Sequence, residues 1–311
     1  MAVIDLEFPS YNQRDAIKAW LYTPLDAPPR GVVQVVHGLM EHSRRYLHLI
    51  LKLNDAGFAV FADDHAGHGL TGTINSTLGD YGDKGHMTAI EDEHSLRQIA
   101  AEKYPDIPYI MFGHSWGSMI ARAYAAHHGE GMSALIICGT CAELPALDPM
   151  ADELEKLIAE GKGSESDIWT VTKTFGSMND RIESPATPTD WISKDAGIVL
   201  DYLSDPYNNL RIPPTFQSTY DLCTLVKEIT GEQWAEKVPK NLPIYNIAGD
   251  EDPVGYYGEG VYRVSNWLIS TGHKDVSTKL YPGHRHEIHQ DRDIRDEVAS
   301  SVIDFINRAL G

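Results

Sequence analysis

Short apolar runs bounded by glycine or proline recur along the chain at 31–36, 58–62, 109–112, 134–138, 244–248 and 278–281. They stay apolar at successive positions, as a strand buried on both faces requires, and so predict a mostly parallel central sheet. Between several of them, segments 46–54, 88–103 and 118–127 carry apolar residues at three- and four-residue spacing and predict helices. Strand and helix alternate, which places the fold in the α/β class with helices flanking the sheet. Near the end, Val298, Val302, Phe305, Ile306 and Ala309 share one helical face, predicting an amphipathic helix docked on the sheet.

The stretch 141–238 breaks this rhythm with helical pieces, many Asp, Ser and Pro residues, and no clear buried strand. It reads as an inserted, mainly helical cap, leaving 1–140 and 239–311 as the core. Its first helix is expected to start with Asp148 as N-cap and Pro149 at the first helical position. Met150, Leu154, Leu157 and Ile158 form the apolar face, and Gly161 is the stop. The polar run 161–166 is expected to be mobile.

Composition narrows the function. With 311 residues, 42% hydrophobic and 23% charged, the chain is long enough for one α/β core plus an insertion and far from disordered composition. A formal charge of −19 repels phosphate backbones, so nucleic acid is not an expected partner. Cys138, Cys141 and Cys223 are an odd number; Cys138-Gly-Thr-Cys141 has C-x-x-C spacing, but no second pair completes a zinc-type cluster, which fits a reducing cytoplasm. The N-terminus lacks the basic and apolar regions of a secretory signal, and no apolar run approaches the roughly 20 residues that span a bilayer. The expectation is a soluble cytoplasmic protein with no integral membrane segment.

Candidate chemistry centres on Gly113-His-Ser115-Trp116-Gly117, a G-x-S-x-G match. The bare match is weak, but a strand candidate precedes it directly and a helix candidate follows. A strand-to-helix turn this sharp forces the serine into a strained conformation that only neighbouring glycines leave room for. The hydroxyl then stands clear of the sheet at a helix N-terminus, where the Trp116 amide is free to donate to an oxyanion. An earlier strand runs into His37-Gly38-Leu39, the position for a second donor, with Leu39 as the candidate amide and His37 as a loop brace.

A serine hydroxyl needs a base, and the base needs an acid to fix its tautomer. Two loops at strand carboxyl ends offer these: Gly249-Asp-Glu-Asp252-Pro253 and Gly283-His-Arg-His286-Glu-Ile-His289. On the residues alone, Asp250, Asp252, His284, His286 and His289 all compete.

His37-Gly38 with Glu41-His42, Asp64-His-Ala-Gly-His-Gly69, Gly113-His-Ser-Trp-Gly117, Gly249-Asp-Glu-Asp252 and Gly283-His-Arg-His286-Glu287 together resemble the monoacylglycerol lipase and lysophospholipase branch of the α/β-hydrolase family. The resemblance spans most of the chain outside the cap. It implies an α/β-hydrolase fold and a serine hydrolase of carboxylic esters, with Ser115, His286 and Asp252 as the triad and the Leu39 and Trp116 amides as the oxyanion hole. No cofactor and no metal are expected, and the expected partner is a small ester with an apolar acyl group, a reading that rests on the cap rather than on the resemblance.

Four other readings compete. Gly67-His-Gly69-Leu-Thr-Gly72 fits a dinucleotide fingerprint, but the residues after it lack helical periodicity, with a helix resuming only near Thr88. The triplet His284, His286 and His289 resembles a metal cluster, although the H-E-x-x-H spacing is one residue short. A peptidase would use the same triad, and a silent binding module would keep the fold. In the cap, Trp169, Phe175, Trp191, Tyr202, Tyr207, Phe216 and Tyr220 offer apolar surface for an acyl chain or a cap core.

Overall fold

The computed structural model describes residues 1–144, 146–175 and 178–311, with Val171 and Phe175 described by their backbone alone. Among these residues one sheet is built from β1 (Ala2–Pro9), β2 (Ala16–Thr23), β3 (Val32–Val36), β4 (Ala59–Asp64), β5 (Tyr109–His114), β6 (Ala134–Cys138), β7 (Ile244–Gly249) and β8 (Val276–Tyr281). Its order is β1-β2-β4-β3-β5-β6-β7-β8, and strands β3 to β8 run parallel. The order reverses at β3, which pairs with β4 on one side and β5 on the other, so a crevice opens between the carboxyl ends of β3 and β5.

Helices α1 (Leu47–Asp55), α2 (Gly69–Asn75), α3 (Met87–Lys103) and α4 (Trp116–His128) connect the first strands. Between β6 and β7 come α5 (Leu147–Ala159), α6 (Ile168–Phe175), α7 (Ala196–Ser204), α8 (Phe216–Glu228) and α9 (Glu232–Lys237). α10 (Glu259–Ser270) separates the last strands, and α11 (Arg295–Leu310) ends the chain. No helix among the described residues is long and apolar enough to cross a membrane.

The strand pleat divides the core into two layers. Val32, Val36, Tyr109 and Met111 pack with α3 and α4 on one face, while Val33, Val35, Ile110 and Phe112 pack with α1 and α11 on the other. Continuous apolar runs were therefore the right signal for the inner strands. β8 departs from it: five of its six residues are half-buried, because it lies at the sheet edge.

The N-terminal hairpin β1-β2 was not predicted. It is antiparallel, β1 is largely exposed, and its pairing with β4 comes through β2 alone. Such strands lack the unbroken apolar run that marked the others.

The segment between β6 and β7 corrects two expectations. α5 starts at Leu147 with Ala146 preceding it and no side-chain cap, so Asp148 lies inside the first turn rather than capping it. The run 161–166 is tied to α8, with Gln217 N donating to Gly163 O and Phe216 N to Glu165 O. Met150, Leu154, Phe216 and Cys223 form a separate small cluster, as do Ile192, Val199 and Tyr202. The end of the segment differs: Leu225, Val226, Ile229, Trp234 and Val238 join the main core.

The turn from β5 into α4 leaves no spare space. A Cβ on Gly117 would lie 2.2 Å from Val36 O and 2.4 Å from His37 O, both backbone atoms. Gly117→Ala is therefore expected to lose roughly 2–3 kcal/mol, the cost of displacing packed backbone, as a lowered denaturation midpoint. Wild-type stability in that variant would contradict this packing.

Candidate active site

Ser115 follows β5 and precedes α4 with φ 55° and ψ −124°, a region that a non-glycine residue occupies only when its surroundings force it there. Several contacts do the forcing. The Ser115 amide donates to Cys138 O at 2.9 Å, and its carbonyl accepts from the Ser118 amide at 2.9 Å. A Cβ on Gly113 would sit 2.3 Å from Gly117 O, so both glycines are needed for the turn to close. Within 109–125, Ser115 is the one residue that is not buried. The turn thus lifts a single side chain out of a packed strand and helix.

The loops after β7 and β8 supply an acid and an imidazole. Asp252 and His286 are 0% and 2% exposed, and His286 Nδ1 meets Asp252 Oδ2 at 2.9 Å. Asp252 also accepts from the Val254 amide at 2.9 Å, which fixes its carboxylate. An acceptor at Nδ1 sets the tautomer with that nitrogen protonated, leaving Nε2 with its lone pair. That Nε2 has no hydrogen-bond partner among the described residues. Burial disfavours the imidazolium, yet the Asp252 carboxylate, with Glu287 and Glu41 beyond it, outweighs burial and holds the His286 pKa above the ordinary histidine value.

The ring of His286 lies against Gly139, where a Cβ would be 3.1 Å from its Cε1. Gly139 follows Cys138, whose carbonyl receives the Ser115 amide. The imidazole and the serine therefore rest on adjoining strand ends. They make no hydrogen bond to each other here, as is common before substrate draws such groups together.

The other candidates at these loops are engaged elsewhere. Asp250 accepts from the Gly283 amide at 2.6 Å, and His284 pairs with Asp291 at 2.9 Å. His289 stacks on Tyr46 with ring centroids 4.7 Å apart, and burial pushes its pKa well down.

The turn after β3 approaches the serine from the opposite side. A Cβ on Gly38 would meet Ser115 Cβ at 3.1 Å, and the Gly38 amide donates to Glu41 at 2.7 Å. Among the described residues, the amides of Leu39 and Trp116 have no protein acceptor. His37 braces this turn: its Nδ1 donates to Gly38 O at 2.8 Å, and its Nε2 accepts from the His65 amide at 3.1 Å. Burial, reinforced by the nearby His65, pushes the His37 pKa well down and keeps its ring neutral.

Sequence reasoning missed the charges behind these loops. Arg45 bonds to Glu41 and, with both terminal nitrogens, to Glu287 at 2.7 Å each. The i, i+4 spacing of Glu41 and Arg45 was the available signal. Of the aromatic candidates between β6 and β7, Trp191 reaches His286, at 5.0 Å between ring centroids. Tyr202 and Phe216 are buried in the two small clusters, Tyr220 packs beside Phe216, and Trp169 and Tyr207 are exposed. The Phe175 side chain lies outside the described residues.

The dinucleotide fingerprint needs a correction, because a helix does open there: α2 starts at Gly69. Its N-terminus is already filled. Asp64 Oδ2 accepts from the Leu70 amide at 2.7 Å, and a Cβ on Gly69 would lie 2.3 Å from that oxygen, so a carboxylate stands where pyrophosphate would bind.

Three groups among the described residues bring possible metal ligands together: His114 with Cys138 and His289, Asp63 with His65 and Glu93, and His284 with Asp291 and Asp293. None combines His284, His286 and His289.

The family model described as serine aminopeptidase, S33 (Hydrolase_4) matches residues 27–293. The chain is similar to a carboxyl esterase from Bacillus coagulans, solved in complex with glycerol, at 58% identity over 100% of both chains and a TM-score of 0.97. A structure described as an open-form lipase shares 39% identity over 99% of both chains, with a TM-score of 0.92. The monoacylglycerol lipase of Mycolicibacterium smegmatis is 28% identical over 92% of each chain.

The His286 environment gives a direct electrostatic test. Its imidazole is expected to titrate above about 6.5 by histidine NMR. Asp252→Asn removes the largest raising charge while burial remains, so the value should fall. An unchanged titration in the variant would mean that Asp252 does not control the ring.

Proposed function

The chain belongs to the serine aminopeptidase S33 family of α/β hydrolases, and from that premise we propose that it hydrolyses carboxylic esters through an acyl-enzyme on Ser115. The observation that carries this reading is the free Nε2 of His286, whose other nitrogen pairs with buried Asp252 and whose ring lies against Gly139, the residue after the Cys138 carbonyl that holds the Ser115 amide.

In this mechanism Ser115 Oγ attacks the ester carbonyl while His286 Nε2 takes its proton. Asp252 holds the tautomer and stabilises the imidazolium as it forms. The amides of Leu39 and Trp116 receive the oxyanion, each contributing on the order of a hundredfold in rate. His286 then protonates the leaving alcohol, and water repeats the sequence to release the acid.

We assign the segment 141–238 as the cap over this site. Trp191 against His286 gives the acyl group an apolar wall, and Leu39, Leu147 and Met178, like Trp191, are half-buried side chains packed on the main core. A net charge of −19 disfavours adsorption to anionic bilayers, so dispersed monoacylglycerols and short or medium acyl esters are the favoured substrates over packed phospholipid. The similarity to a monoacylglycerol lipase and a carboxyl esterase along nearly the whole chain supports esters over peptide amides.

Turnover of p-nitrophenyl esters of graded chain length, beside proline-type peptide amides, tests this reading. Ester cleavage should dominate, survive chelator, and fall by about 10⁴-fold or more in Ser115→Ala. Near-normal ester turnover by that variant, or loss of activity to chelator, would defeat the assignment.

A further inference from the structure

The oxyanion turn and the base loop come from strands on opposite sides of the serine, β3 and β8, and share no backbone hydrogen bond among those found in loops and turns. A buried side-chain network joins them. Glu41 Oε1 accepts from the Gly38 amide at 2.7 Å and from Tyr46 Oη at 2.6 Å. Its other oxygen accepts from Arg45 Nη1. Arg45 then donates from Nη1 and Nη2 to the two oxygens of Glu287, 2.7 Å each, and Glu287 is the residue after His286.

The network is enclosed. Side-chain exposure is 8% for Arg45 and 3% for each carboxylate. Tyr202 of α7 lies under the guanidinium at 4.7 Å. Gln290 donates to Arg45 O, so the backbone of Arg45 is also tied to the base loop. Burial opposes the charge on Glu41, but Arg45 together with His114 and His37 outweighs it and holds the carboxyl well below its usual range. Glu41 is thus a pure acceptor for the Gly38 amide.

We propose that Arg45 is a positioning residue for ester hydrolysis, joining Glu41 beneath the Gly38 turn to Glu287 beside His286 so that oxyanion donors and base keep one register. The proposal rests on the acyl-enzyme reading and deepens it. A planar fork serves two carboxylates at fixed angles, whereas a lysine ammonium is a point donor on a flexible stem. Arg45 touches no reacting atom, so it acts on the geometry in which attack and proton transfer coincide. Displacements of about 1 Å in such a geometry cost up to about a hundredfold in rate.

The test is kcat per active site in Arg45→Lys, with competent sites counted by the burst of an organophosphonate on Ser115 and folding followed by thermal melting. The expected result is a per-site kcat lower by about 10- to 100-fold with KM within about threefold. Wild-type kcat per titrated site, whatever the total yield of folded enzyme, would overturn the proposal.

If Arg45→Lys does not fold, Glu287→Gln decides in the same assay, because it leaves Arg45 paired with Glu41 while removing the charge beside His286. The same per-site loss supports the clamp, and a wild-type per-site kcat overturns it. Ser115→Ala runs alongside: turnover there refutes the acyl-enzyme reading itself, whereas an inert Ser115→Ala with a normal Arg45→Lys refutes the positioning role alone.

Discussion

The backbone of Ser115, held at φ 55°, is the constraint on which the rest of the site depends. A relaxed strand would carry this side chain into the core with its neighbours, and a relaxed helix would bury it against β3. The strained turn instead leaves the hydroxyl accessible and directs the first amides of α4 toward the same space. Its cost is met by close packing on both sides, through the glycines at 113 and 117 and the bond from Ser115 N to Cys138 O.

Around that turn, polar groups that would be costly to bury are paired in a definite order. Asp252 and His286 satisfy each other, Asp64 fills the start of α2, and Glu41 takes the Gly38 amide while Arg45 balances two acids. The consequence is preorganisation. Groups fixed before substrate arrives need not reorient as charge develops, which is where such sites gain most of their rate. Among the buried polar atoms left without a hydrogen-bond partner is Nε2 of His286, the nitrogen opposite the Asp252 contact.

How much of this was legible depended on whether the signal was local. The inner strands wrote themselves as unbroken apolar runs, because burial on both faces demands them. The elbow was legible as two glycines around a serine between a strand and a helix. The hairpin β1-β2 was not legible, since an exposed antiparallel edge carries only a faint alternation. The short α2 was missed for a related reason: seven residues containing two glycines show no helical period, and Asp64, five residues upstream, supplies its N-terminal acceptor. Among five acids and histidines, the residues alone could not choose a pair, since the choice is made by which loops the sheet brings side by side. Arg45 was hidden because its second partner, Glu287, lies 242 positions away.

The central claim is that Ser115, His286 and the two free amides act on one atom set. A crystal structure of the enzyme inactivated by an alkyl organophosphonate tests it most directly. The account requires phosphorus on Ser115 Oγ and its oxygen within about 2.7–3.1 Å of both the Leu39 and Trp116 amides. Phosphorus on another residue, or an oxygen turned away from both amides, would contradict it.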